Sequence, residues 1–198
     1  MFAYSSISQI GYIIFALGIG TPLAILGGLF HLFNHAIFKS LLFLNSGAIE
    51  YSTNTRSLGR LGGLNRSLPV TGYTSLVGSM SISGIPPLGG FWSKLIIIIA
   101  SVQAGYFVPA IVAVLVSVIT LAYYLKFQSY AFFGKADRVK GEIKGTPYMM
   151  KLSMIILAVI CVACGLLITP FFRPYMDSAV NVLLSGNGYK DAVFGALK

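Results

Sequence analysis

The sequence predicts an all-α integral membrane protein of about five transmembrane helices, one of them broken near its middle. Three observations carry that prediction. Of the 198 residues, 56% are hydrophobic and 10% are charged, against about 25% charged in a soluble domain. With a mean hydropathy of +0.83, the outer surface must face an apolar solvent, which excludes an enzyme of the cytosol. The apolar residues are also grouped in runs near the ~20 residues that cross a ~30 Å hydrocarbon layer at 1.5 Å per residue. Finally, one run contains Gly84-Ile85-Pro86-Pro87-Leu88-Gly89-Gly90. Two prolines remove two donors and clash with the preceding turn, so no continuous α-helix carries that stretch.

Taken in order, the first span is expected over Phe2–Ile19, apolar but flecked with Ser5, Ser6, Ser8 and Gln9. It has no basic lead-in, so it does not read as a cleavable signal. The second, over Pro22–Ile49, is long enough to cross with tilt or a kink. The third, over Val70–Val102, carries the break at Gly84, Pro86, Pro87, Gly89 and Gly90. The fourth covers Val108–Phe133 and the fifth Lys151–Phe172, with Pro170 and Pro174 ending it. Residues 1–172 thus form a transmembrane unit and 173–198 a tail. In that tail Met176, Ala179, Val180, Leu183 and Leu184 fall at helical spacing, as in a short helix lying in the interface.

Charge supplies the topology. The balance is 14 Lys+Arg against 5 Asp+Glu, a net +9, which in a membrane chain reports orientation rather than a nucleic-acid partner. Arg56, Arg60 and Arg66 occupy the 51–68 loop. Lys135, Arg138, Lys140 and Lys144 occupy the 134–148 loop, with Asp137 and Glu142. Counting crossings places both loops on one side, the cytoplasm or matrix, and the C-terminus outside. Cys161 and Cys164 sit in an apolar run with no ligand partners nearby, so they read as small core or lipid-facing residues rather than a disulfide or zinc site.

Ionisable side chains inside a membrane are costly and functional by default. They are His31, His35, Lys39 and Lys94, with Lys126 nearer a helix end. The first three stand at i, i+4 and i+8, one face of a helix over ~12 Å. Imidazole titrates near neutrality and passes a proton between its two nitrogens, and burial disfavours the charged form of an amine, so such a row can relay protons. Lys94 follows the break, where freed carbonyls sit beside an ionisable group. Other readings stay open: a His-x-x-x-His metal site, for which no third ligand lies on these spans, or histidines that only satisfy helix–helix hydrogen bonds. Ser8 and Gln9 are secondary candidates that equally serve as cross-helix hydrogen bonders, and Lys126 is placed to snorkel. Glu50, at the end of the second span, reads as an interface residue. No span holds an Asp or Glu, so the buried lysines have no carboxylate on this chain, and partners on other polypeptides are expected.

The stretches Ala3-Tyr4-Ser5-Ser6-Ile7-Ser8-Gln9-Ile10-Gly11-Tyr12, His31 to Leu44, Gly62-Gly63-Leu64, and Gly84 to Lys94, in that order, resemble the antiporter-like membrane subunits of the complex I superfamily. That family includes proton-pumping subunits of NADH-quinone oxidoreductase, large subunits of Mrp-type sodium/proton antiporters and membrane subunits of energy-converting hydrogenases. The resemblance implies the last five helices of a subunit of about fourteen, built from inverted repeats with a hydrated polar axis. It assigns His35 and Lys39, with His31 one turn earlier, and Lys94 to that axis. It implies a non-redox subunit of a multisubunit, redox-driven complex in an inner membrane, moving protons or sodium, or else scaffolding such a complex. No cofactor is expected on this chain, with iron–sulfur, flavin or nickel–iron centres on peripheral partners. Other membrane subunits, among them a polypeptide supplying the earlier helices, and lipid are the expected neighbours.

Overall fold

The computed structural model describes residues 2–134, 143–166, 178 and 180–184, and all regular structure among them is helical. Helix α1 spans Phe2–Ile19 and α2 spans Pro22–Thr53. The turn between them is closed by Thr21, whose Oγ1 accepts the Ala24 N–H at 3.3 Å, and Pro22 takes the first helical position, where a missing N–H costs nothing. Helix α2 runs four residues past the predicted Ile49. Its end is set by backbone geometry instead of hydropathy: Asn54 adopts φ 52°, ψ 29° and its N–H caps the Glu50 carbonyl. At 32 residues it is ~48 Å long.

After a 3₁₀ turn (Leu58–Arg60) and the single turn α3 (Leu64–Ser67), the broken crossing appears as α4 (Pro69–Ser83) and α5 (Gly89–Gln103). Gly84 at φ +79° ends α4, and the Ile85 N–H returns to the Met80 carbonyl at 3.1 Å, a left-handed stop that favours glycine. The Pro86–Pro87 peptide is cis. Both halves follow α2 in the antiparallel sense. Thr74 bonds Asn45 at 2.8 Å, Gly89 abuts Asn34, Ser93 meets His31 at 2.8 Å, and Ile97 presses on Gly27. Positions rise along α4–α5 as they fall along α2, so the two halves make one interrupted passage.

Helices α6 (Phe107–Ala131) and α7 (Tyr148–Leu166) complete the bundle. Helices α1, α2, α6 and α7 are each long and apolar enough to cross a membrane. Helix α2 is the hub, packed against α1, α4, α5 and α7. Phe38, Leu41 and Leu42 from α2 meet Ile82, Tyr124, Phe127 and Met154 in the main core, while α6 turns Val108, Ile111, Leu115, Val118 and Ile119 outward, as a lipid-facing helix does. Cys161 and Cys164 are buried free thiols, so of the two readings the core one holds.

The Asn65 N–H donates to the Phe132 carbonyl at 3.3 Å, and the Lys144 N–H to the Ser52 carbonyl at 3.0 Å. The segments after α2 and after α6 therefore share one end, as the crossing count requires. Residues 51–53, assigned to the first basic loop from sequence, belong to α2. Lys135, Arg138, Lys140, Pro170, Phe172 and Pro174 lie outside the described residues, as do Met176 and Ala179 of the interfacial segment. Val180, Leu183 and Leu184 of that segment are helical.

Candidate functional site

The site forms where α1, α2 and the break converge, and each lysine is held by neutral oxygen atoms. Lys94, one turn into α5 and 3% exposed, donates from Nζ to the Ile82 carbonyl at 2.8 Å. Ile82 lies at the end of α4, where interruption of the helix leaves main-chain oxygens without an amide partner, so the break itself creates this acceptor. The same ammonium group stands 5.1 Å from the centre of the Tyr12 ring. Lys39, on α2 and 5% exposed, donates to the Phe2 carbonyl at 2.7 Å and to the Ser5 hydroxyl, which also bonds the Tyr124 hydroxyl at 3.0 Å.

Between the lysines runs the face of α2 that bears the histidines. His31 is fully buried, and its Nδ1 meets Ser93 Oγ at 2.8 Å; that hydroxyl in turn donates to the Gly90 carbonyl at 3.2 Å. His35 is half-buried and packs edge-on against Phe38. His31, His35 and Lys39 follow one another at four-residue steps on α2, and the His31–Ser93 bond sets that face against the start of α5, which carries Lys94. Helix α1 lines the opposite wall with Ser5 at Lys39 and Tyr12 at His31, the latter rings 5.6 Å apart. Gln9 lies between them, fully buried.

Both polar atoms of the Gln9 amide, and Nε2 of His31 and of His35, are buried with no hydrogen-bonding partner. Buried polar groups in that condition need water or a transferred proton to satisfy them. Among the described residues the one ion pair is Glu50–Arg56 at 2.7 Å, at the exposed end of α2; it does not reach either lysine's hydrogen bonds. No group of three metal-ligating side chains is gathered among the described residues.

Residues 1–120 match the family described as "NADH:quinone oxidoreductase/Mrp antiporter, TM". The chain belongs to this family. Its relatives among antiporter-family proteins include a Na(+)/H(+) antiporter subunit of Alkalihalophilus pseudofirmus, 33% identical over 181 residues covering 91% of this chain and 37% of that one. The fold superposes on a chain of the Mrp complex from Dietzia sp. with a TM-score of 0.87 at 29% identity, covering 95% of this chain and 43% of that one. It also superposes on the membrane-bound sulfane sulfur reductase, an archaeal respiratory membrane complex, with a TM-score of 0.78 at 38% identity, covering 83% and 27%. This antiporter-family chain thus spans less than half the length of each of these relatives.

Within the antiporter-family bundle, His31, His35, Lys39 and Lys94 are brought onto one axis, and Gln9 joins them. Ser8 stands instead on an outer groove between α1 and α6, beside Gly11, Phe15 and Val112. Lys126 is exposed, its ammonium 5.8 Å from the Tyr130 ring centre, and takes no part in the axis. Sequence reasoning missed Ser93, Tyr124 and Gln128. Gln128 donates to Ser75 and Ser79 at 2.9 and 2.8 Å, and the signal was present: Thr120, Tyr124 and Gln128 repeat at four-residue intervals along α6, as Thr71, Ser75, Ser79 and Ser83 do along α4.

Proposed function

We propose that this chain is part of a proton- or sodium-translocating membrane subunit of a multisubunit complex, and that it passes protons along Lys94, His31, His35 and Lys39. The observation that carries the reading is that two buried lysines, Lys39 on α2 and Lys94 on α5, flank two histidines with unpartnered ring nitrogens and the unpartnered amide of Gln9. A structural pair of lysines has no use for such a bridge. An imidazole gains and loses a proton near neutrality, and His31, held through Nδ1 by Ser93, takes up and returns its proton at Nε2. Each lysine alternates between the ammonium and the amine, and the Ile82 carbonyl or the Ser5 hydroxyl stabilises the charged form when it is present.

Under this reading the end bearing Arg56, Arg60 and Lys144 faces the cytoplasm or matrix. Other membrane subunits cover the outer face of α1, and the remaining helices of the subunit complete the path. Where the parent is a quinone reductase or a hydrogenase, iron–sulfur, flavin or nickel–iron centres belong to peripheral partners. Substituting Lys94→Met or Lys39→Met in the assembled complex tests the reading. Dye-reported ion movement into membrane vesicles is expected to fall to background with assembly preserved. Movement at the parental rate in either variant would leave these helices as scaffold.

A further inference from the structure

Helices α4 and α7 pack side by side and leave between them an outward-facing groove of about 460 Å³. Tyr73 and Val77 line one wall, and Ile155, Val159, Val162 and Leu166 line the other. Thr74 also lies in the wall, but it donates its hydroxyl to Asn45 at 2.8 Å, so below Tyr73 the groove offers hydrocarbon. From Ile155 to Leu166 it follows α7 for ~16 Å, about half of the ~30 Å hydrocarbon layer and so the depth of one leaflet.

The mouth of this groove carries a charge. Lys151, Ile155, Val159, Val162 and Leu166 stand at i, i+4, i+8, i+11 and i+15, one face of α7. Both α4 and α7 begin at the basic-loop end of the bundle. Side chains lean toward the N-terminus of their own helix, so the Lys151 stem carries its ammonium out of the groove toward the headgroup level. Among the described residues that ammonium has no carboxylate partner. Tyr73 is one turn into α4, as Lys151 is one turn into α7, and is 64% exposed; a tyrosine there sets its ring against hydrocarbon and its hydroxyl against headgroups. The groove between α1 and α6, bordered by Phe15, Val112 and Val116, is of similar size at about 470 Å³. It has no such mouth, because residues 1–38 and 95–125 contain no Lys or Arg.

We propose that the α4–α7 groove binds one anionic glycerophospholipid, with an acyl chain along Val77, Val159 and Leu166 and the phosphate at the Lys151 ammonium and the Tyr73 hydroxyl. The deep end of that chain reaches Val162 and Leu166, which bracket Gly165. Gly165 packs so close to the break that an added Cβ would stand 2.7 Å from the Leu88 Cα, so the lipid braces α7 where α7 supports the break. The site stands apart from the relay reading, and its test does not read ion movement.

The assembled complex is reconstituted in vesicles of equal phosphatidylglycerol and phosphatidylcholine with matched acyl chains; the second carries the same phosphate with its charge cancelled. Val159, 62% exposed, is replaced by the photoreactive p-benzoylphenylalanine, and Val112, 51% exposed in the α1–α6 groove, is replaced likewise as the reference. After irradiation the adducts at each position are identified by mass. At position 159 the adduct is expected to be phospholipid, with phosphatidylglycerol favoured about fivefold over its share at position 112, the effect of one unit charge ~4 Å away in a water-like medium. Lys151→Gln is expected to bring that preference down to the reference, and Lys151→Arg to keep most of it. A peptide of another subunit captured at position 159, or no adduct there, overturns the site, since a protein or nothing then fills the groove. A preference equal to the reference, or unmoved by Lys151→Gln, reduces the occupant to bulk lipid and overturns it too. Equal losses in Lys151→Arg and Lys151→Gln would assign Lys151 to the packing of α7 and remove the headgroup contact.

Discussion

Gly90→Ala strikes the joint on which the whole site hangs. At Gly90 the start of α5 crosses the end of α4 with no side chain between them, and an added Cβ would stand 2.8 Å from the Ser81 carbonyl carbon and closer still to its oxygen. Ordinary contact begins at 3.4 Å, so the two half-helices must part by well over ~0.6 Å, the oxygen being the nearer atom, and because both sides are backbone neither can swing away. Overpacking of this kind costs about 1–3 kcal/mol, and the rigid partner places it near about 3. At roughly 2–4 °C per kcal/mol for a chain of this size, the melting midpoint drops by roughly 6–12 °C. The residues displaced hold the site directly: Ile82, beside Ser81, accepts from Lys94, and the Gly90 carbonyl accepts from the Ser93 hydroxyl that steadies His31. Ion movement is expected to fall with stability. The assay is a thermal ramp of the purified complex with a thiol-reactive dye, accessible cysteines having been blocked beforehand, so that the buried Cys161 and Cys164 report opening of this bundle. Gly11→Ala is the control: no atom lies within 4 Å of its Cβ, and removing a helical glycine stabilises by about 0.5–1 kcal/mol. A Gly90→Ala midpoint within about 2 °C of the Gly11→Ala midpoint would refute the reasoning about the joint.

Three further substitutions probe the axis and its surroundings. Ser93→Ala removes the hydroxyl from His31 Nδ1, a loss of about 1 kcal/mol, and the initial rate of ion movement in vesicles is expected to fall roughly fivefold while assembly on a native gel is unchanged. Gln128→Leu strips Ser75 and Ser79 of their shared donor; the same thermal ramp is expected to show a loss of about 1–2 kcal/mol, and a midpoint equal to the parent would mean the cluster carries no weight. Lys126→Gln touches an exposed side chain away from the axis, so vesicle ion movement is expected to stay within about twofold of the parent, and a larger loss would bring Lys126 back into the path.

Much of this arrangement was legible because membrane burial makes polar residues conspicuous. His31, His35 and Lys39 could be placed on one face by spacing, and the two prolines marked the break within a residue or two of its observed limits at Ser83 and Gly89. The far end of α2 was misjudged because hydropathy falls at Glu50 while the backbone stays helical until Asn54 turns left-handed. The acceptor for Lys94 was invisible in principle: it is a main-chain oxygen, common to every residue, and only the fold decides that Ile82 supplies it. The Gln128 cluster was legible and overlooked, since hydroxyl residues inside helices bond their own preceding turn as readily as a neighbour, and Ser83 does so with the Ser79 carbonyl at 2.7 Å.

The oxygens around Lys39 and Lys94 belong to carbonyls and hydroxyls. Dipoles can steady a charge, but they cannot cancel it. A proton resting on either lysine therefore projects its field past the boundary of the bundle, where a counter-ion would have confined it. At 10 Å and an effective dielectric constant of about 20, that field is worth about 1.7 kcal/mol to another charge, more than tenfold in an equilibrium. A neighbouring titratable group within that distance is thus informed of the occupancy of this one without any helix having to move. Neutral solvation makes the bundle a transmitter of its own charge state, and one carboxylate placed against either lysine would silence it.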